Sequence, residues 1–172
     1  MQLIGIYPSS RTLAIPTRLT PEEKECLYFL ARRLPKSAHV LEIGSYLGAG
    51  ACLLAEGGRH KGVTVHCVDT WTNLAMGEGL RDTWAEFRAN TSHVRDHLCL
   101  HRGVSQFIAR EFSFVPAMLF IDGDHSVEAV HRDLSSWLPH LTPGGRLLLH
   151  DIGWAQGVQD AVSALTLTTP MT

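Results

Sequence analysis

An apolar run from Val115 to Ile121 that breaks off into Asp122, Gly123, Asp124 and His125 constrains this chain more than any other stretch. It shows no polar alternation, so it reads as a strand buried on both faces rather than one with a solvated side. Such strands belong to parallel sheets covered by helices, and a helical pattern begins at once from Ser126. Two carboxylates and an imidazole are thus delivered to the carboxyl end of a buried strand, the edge where open α/β sheets hold their ligands. The plainer alternative is that Asp122 or Asp124 only caps the next helix.

The same punctuation recurs along the chain. Residues Met1 to Arg18 hold turn signals and little periodicity, which predicts an irregular arm of residues 1–18 before a single domain of residues 19–172. Thr20, Pro21 and Glu23 then spell a helix start, with Cys26, Leu27, Leu30, Ala31 and Leu34 as its apolar stripe and Pro35 as its stop. Ala38 to Ile43 is a short strand carrying Glu42, followed by the turn Gly44-Ser-Tyr-Leu-Gly48-Ala-Gly50 and a helix from Ala51 to Glu56, which Gly57-Gly58 should end. A glycine-rich turn between strand and helix lets backbone approach a nucleotide at a helix N-terminus. Val63 to Val68 is a second strand ending in Asp69, placed to accept hydrogen bonds from ribose hydroxyls or simply to cap a turn.

A loop from Thr70 to Gly79 precedes a helix expected from Leu80 to Asn90, with Leu80, Trp84 and Phe87 on its inner side. The third strand spans His97 to His101 and a short helix Gln106 to Glu111. After the opening stretch come a helix from Ser126 to Leu138, a strand from Arg146 to Leu149 ending in His150-Asp151, and a last helix from Ala155 to Leu165. Five strands alternating with helices predict a doubly wound, mostly parallel sheet with helices on both faces. Right-handed crossovers would then gather the glycine turn, Asp69, Asp122 to His125 and His150-Asp151 around one crevice.

Composition narrows the function classes. At 45% hydrophobic and 19% charged residues the chain is globular, and a net charge of −2 with no lysine- or arginine-dense run gives no case for nucleic acid. No apolar run is long enough to cross a bilayer and no signal peptide is evident, so the expectation is a cytoplasmic protein without a membrane partner. Cys26, Cys52, Cys67 and Cys99 form no CxxC pair and no zinc spacing, and the last three lie in apolar segments as reduced, buried thiols. The ten histidines are scattered, with most expected on the surface.

Val40-Leu-Glu-Ile-Gly-Ser-Tyr-Leu-Gly48, Val68-Asp-Thr-Trp71, Phe120-Ile-Asp-Gly-Asp-His-Ser126 and Trp137-Leu-Pro-His-Leu-Thr-Pro-Gly-Gly145 with His150-Asp151 resemble the class I S-adenosylmethionine (SAM)-dependent methyltransferases. More narrowly they resemble the small-molecule O-methyltransferase branch that includes macrolide sugar methyltransferases and cephalosporin-hydroxylase-like proteins. The resemblance runs from about Leu19 to Gln159 and implies a Rossmann-like fold. It further implies that Glu42, Gly44, Ser45 and Gly48 line the methionine and ribose part of the cofactor. Asp69 would hold the ribose hydroxyls, Trp71 would sit beside the adenosine, and Ser105 would contact adenine, with Asp122 also at the cofactor. Asp122, His150 and Asp151 would bind a metal, and His125 would be the general base. Val104 stands where relatives often have Asp, and His150 where some have a carboxylate.

The chemistry is coherent on its own terms. Carboxylates at the ends of adjacent strands, about 4.8 Å apart, can share one divalent ion, and oxygen ligands suit Mg²⁺. A metal-bound hydroxyl is acidified and oriented, and a histidine can take its proton. The expected activity is Mg²⁺-assisted methylation of a hydroxyl on a small molecule, a sugar or natural product. The resemblance also implies an antiparallel strand pair after the fifth strand, which this sequence does not show. The fifth strand would then be an open edge unless the last segment or a partner chain, such as a second copy in a homo-oligomer, covers it. Two other readings stand: a SAM-binding module or truncated, inactive subunit that needs a partner, and a nicotinamide-dependent oxidoreductase, which the absent GxGxxG spacing disfavours.

Overall fold

The structure, a computed structural model, describes residues 7–73 and 79–168. The first residues of the arm, the middle of the loop read from Thr70 to Gly79 and the end of the tail lie outside the described residues. The elements follow in the order α1 (Ser10–Leu13), α2 (Pro21–Arg32), β1 (His39–Ile43), α3 (Ala49–Gly58), β2 (Thr64–Asp69), α4 (Trp84–Asn90), β3 (Leu98–Arg102), α5 (Ser105–Ala109), β4 (Pro116–Ile121), α6 (Val127–Trp137), β5 (Arg146–Leu149) and α7 (Gln156–Thr168). The five strands form one all-parallel sheet in the order β3-β2-β1-β4-β5. The chain leaves β1 toward β2 on one side and returns to pair β4 on the other. That reversal opens a crevice at the carboxyl ends of β1 and β4.

Alternation along the strands divides the core in two. Val40, Val65, Cys67, Met118 and Phe120 face α2, α3 and the arm residues Ile15 and Leu19. Leu41, Ile43, Val68, Leu119 and Ile121 face α5, α6 and α7. Every residue of α3 is buried, because α2 lies across its outer side. At that crossing a Cβ on Gly57 would stand 2.3 Å from the Tyr28 carbonyl oxygen, and one on Gly58 would press into Val63. α3 therefore runs through both glycines and ends at Gly58, two residues past Glu56, and close packing on Tyr28 and Val63 requires glycine at both places.

Other expectations are corrected in the same way. Ser9 caps the one-turn helix α1, inside the segment read as irregular. Cys26 is exposed and Tyr28 takes the buried place on α2. Leu80 stands 76% exposed, because α4 starts only at Trp84, whose N–H Asp82 accepts. Cys99 is half-buried, while Cys52 and Cys67 are buried as expected. Only His60, His93 and His131 among the ten histidines are exposed. Among the described residues no strand covers the outer edge of β5, and no helix is long and apolar enough to cross a membrane.

Candidate active site

The crevice at the carboxyl ends of β1 and β4 is closed in by two adjoining cavities. The larger, about 400 Å³, is within the range that holds a cofactor-sized ligand. The smaller, about 70 Å³, shares Gly44, Tyr46 and Asp122 with it. Strand ends and turns are locked together here by backbone: Gly44 N–H donates to Val68 O, Asp122 N–H to Ile43 O and His150 N–H to Ile121 O. Gly44 has φ +87°, and a Cβ there would meet the Asp122 carbonyl oxygen at 2.1 Å. Only glycine lets the β1 turn pass this close to β4.

Asp69 lines the larger cavity, and its carboxylate organises the rim. Oδ2 accepts the Tyr46 N–H at 2.8 Å and Oδ1 the Trp71 N–H at 2.7 Å. Burial raises its pKa above the ordinary range, against the pull of those N–H donors. Ser105 and Val104 also line this cavity, and the Ser105 hydroxyl accepts the Trp137 indole N–H at 2.6 Å.

Trp71 is wholly buried at φ +52°, its indole donating to Tyr46 O and its ring packed on Trp84 and Phe87. Expected beside the adenosine, it is instead a core residue; Thr70, Thr72 and Asn73 of the same loop reach the cavity. Gly48 likewise lines neither cavity, and its left-handed backbone brings α3 against Thr91 and Phe87. Glu42 and Ser45 line the smaller cavity as a bonded pair, the hydroxyl donating to the carboxyl at 2.6 Å. Burial pushes Glu42 up to about 8, opposed by Ser45 and reinforced by the charges of Asp122 and Asp69.

At the far side of the smaller cavity Asp122, His125, His150 and Asp151 converge, with one ligand atom from each within 4.8 Å of the others. His125 Nε2 is 3.0 Å from Asp151 Oδ2 and 3.7 Å from Asp122 Oδ1. His150 Nδ1 is 2.9 Å from Asp122 Oδ1 and 3.1 Å from Asp151 Oδ2, and its Nε2 is 3.2 Å from Glu23 Oε2. His125 Nε2 and both ring nitrogens of His150 are buried without a partner in directed hydrogen-bond geometry. Asp122 beside it raises His150 to about 9 against burial, with Glu23 and Asp151 adding. Burial works against the Asp122 charge, but His125 and His150 outweigh it and hold that carboxyl below its ordinary pKa. Asp151 has φ +60°, a conformation costly for a residue with a side chain and concentrated at functional sites.

Sequence reasoning missed Glu23, whose visible signal was only its place in the capping box of α2. It missed the arm residues Pro16 to Leu19, which wall the smaller cavity. Asp124, considered as a cap of the next helix, instead accepts the Ser126 N–H at 2.9 Å just before it, Ser126 being the cap, and also lines the larger cavity.

The family model described as a methyltransferase domain matches residues 41–152, from β1 through β5 and the whole Asp122 to Asp151 cluster. Solved structures share the chain trace. The SAH-bound methyltransferase PaMTH1 of Podospora anserina is 19% identical, over 93% of this chain and 78% of that one, with a TM-score of 0.67. The O-methyltransferase from Bacillus cereus, in complex with SAH, is 16% identical over 97% and 83%, with a TM-score of 0.71. TomG from Streptomyces achromogenes, an O-methyltransferase involved in tomaymycin synthesis and solved with SAM, is 16% identical over 88% and 70%, with a TM-score of 0.67. The sheet order, the crevice at its switch point and the family match agree: this chain belongs to the methyltransferase-domain family.

Proposed function

We propose that the chain methylates a hydroxyl oxygen of a small molecule, a sugar or another natural product, using SAM and a Mg²⁺ ion. The observation that carries this reading is the meeting of a cofactor-sized cavity and a carboxylate–imidazole cluster at one residue, Asp122. The larger cavity suits the nucleoside, with ribose hydroxyls on Asp69 and adenine toward Ser105, and the methionine end would run past Gly44 and Tyr46. Structures of this fold described with SAH and SAM bound support the cofactor. The acceptor would enter the smaller cavity between the arm and His125.

Methyl transfer forms a C–O bond while the C–S bond breaks, its electron pair staying on sulfur, and the acceptor hydroxyl must lose a proton. His125 would take it, and Asp151, 3.0 Å from its Nε2, would stabilise the imidazolium formed. Asp122 and Asp151 offer the oxygen ligands Mg²⁺ prefers, with His150 as a third once its proton is displaced. The ion would lower the pKa of the acceptor hydroxyl and orient it.

The test is calorimetric titration with S-adenosylhomocysteine (SAH), with Mg²⁺ and then with EDTA, followed by a screen of hydroxylated acceptors. Binding in both titrations and metal-dependent turnover is the expected result. Absence of binding in both would overturn the assignment of the cofactor site. A second reading, a SAM-binding subunit that needs a partner, draws on the open β5 edge and on Trp154, 68% exposed, whose indole occupies Asp151 Oδ1 at 2.7 Å. It predicts SAH binding without turnover on any acceptor until a second protein is added.

A further inference from the structure

The face of the sheet that packs on α5 and α6 carries a second cluster, sharing no residue with the crevice. His39 opens β1, His66 lies in the middle of β2, and Cys99 and His101 stand two residues apart on β3. The parallel register sets His66 beside Cys99, and alternation turns Cys99 and His101 to the same side. His66 Nδ1 is 3.0 Å from His101 Nε2, while its other nitrogen is 2.9 Å from His39 Nδ1. One ligand atom each from His66, Cys99 and His101 lies within 4.8 Å of the others. His66 is wholly buried, walled by the rings of Phe112 and Phe114, whereas Cys99 and His101 are half-buried on an edge strand that solvent reaches.

We propose that His66 Nδ1, Cys99 Sγ and His101 Nε2 form a binding site for a borderline-soft divalent ion of the zinc class. Two imidazole nitrogens and a thiolate are the donor set such ions select over Mg²⁺. Tetrahedral ligands on bonds of about 2.05 Å sit about 3.3 Å apart, so the two rings need to part by only a few tenths of an ångström. With its proton on Nε2 and donated to His39, His66 turns a free lone pair on Nδ1 toward the ion. That outer hydrogen bond is the usual support of a ligating histidine. Burial, with His101 and His39 nearby, lowers His66 to about 4, and burial lowers His101, so both rings are unprotonated and ready to ligate at neutral pH. A plain hydrogen-bonded ladder of three imidazoles would leave the thiol without a part. The ion would tie the edge strand β3 to β2, directly beneath the Asp69 and Ser105 ends of the larger cavity, leaving a fourth position for water.

The experiment uses the full chain, stripped with EDTA, desalted under reducing conditions and titrated with Co²⁺. Wild type should develop a near-ultraviolet sulfur-to-cobalt charge-transfer band that saturates at a single equivalent and is displaced by Zn²⁺. The doubly substituted Asp122→Asn, Asp151→Asn chain should keep the band, which separates this site from the carboxylate cluster. Cys99→Ser, folded by circular dichroism, should lose it, and His101→Gln should weaken Co²⁺ binding at least tenfold. In the Asp122→Asn, Asp151→Asn background, where the carboxylate cluster no longer competes for the ion, Zn²⁺ should raise the melting temperature, and adding Cys99→Ser should abolish that rise. No band in wild type, or a band that survives Cys99→Ser, would overturn the proposal.

Discussion

Glu42 is a carboxyl held almost wholly out of water. It is fully buried under α3, where a Cβ on Gly50 would lie 2.2 Å from its Oε1, and burial moves it from 4.5 to about 8. A carboxyl with a raised folded pKa adds stability that is full below its unfolded value and is lost as pH climbs to the folded one. Stability should therefore fall between about pH 4.5 and pH 8. Glu42→Gln should flatten that slope and stabilise the cofactor-free protein at pH 8 by a few kcal/mol, on the order of the shift itself, as read from urea denaturation at pH 5 and pH 8. Asp69 and His125 separate binding from chemistry. Asp69→Ala removes the acceptor for the Tyr46 and Trp71 N–H groups as well as the proposed ribose contact, and should weaken SAH binding by tenfold or more, about 1.4 kcal/mol or above, in calorimetry. His125→Ala should bind SAH as wild type does but lose turnover by about a hundredfold or more, and a fully active variant would remove it from the proton path.

Among the elements, α2 does two jobs. Its first turn is closed by a capping box in which Thr20 accepts the Glu23 N–H and the Glu23 carboxylate accepts the Thr20 N–H at 2.8 Å. The same carboxylate reaches His150, so the cap of a cover helix also braces the cluster. Thr20→Ala should cost about 1 kcal/mol of stability, seen as a lower melting temperature, with cofactor affinity little changed. The helix after the glycine turn works differently. Gly48, its N-cap, makes no side-chain cap, and α3 is held by the burial of all its residues between α2 and the sheet.

On the scale of the molecule, the switch point between β1 and β4 creates the crevice, and the two outer strands remain as edges. The β5 edge is only four residues long and begins with the exposed Arg146, features that discourage uncontrolled pairing. A second copy set against that side, near the exposed Ile152 and Trp154, is the arrangement we propose for its cover. Sedimentation should then give twice the 19.0 kDa chain mass, and Trp154→Ser should shift the species toward a monomer. A monomer at every concentration would show that the short edge stands alone.

Periodicity and punctuation made the strands legible. β5 runs from Arg146 to Leu149 as read, and β1, β2 and β4 differ from their expected bounds by a residue or so, because continuous apolar runs ending in acidic residues have few other ways to be buried. The convergence of Asp122, His125, His150 and Asp151 was legible too, since parallel strands deliver their last residues to one edge. What a side chain does once it arrives was not. Trp71 reads like a cofactor contact but packs on Trp84 and Phe87; Gly57 and Gly58 do stand at the end of α3, but their packing against Tyr28 and Val63 is invisible in the sequence. The histidines read as scattered, yet strand order β3-β2-β1 aligns three of them across one buried face. Which segments are strands and helices, and which end of the sheet carries the chemistry, could be read from residue order alone, because those follow from local period and hydrophobicity. The tertiary structure alone decided which polar groups are buried together and which glycines are contacts, because both depend on neighbours remote in sequence.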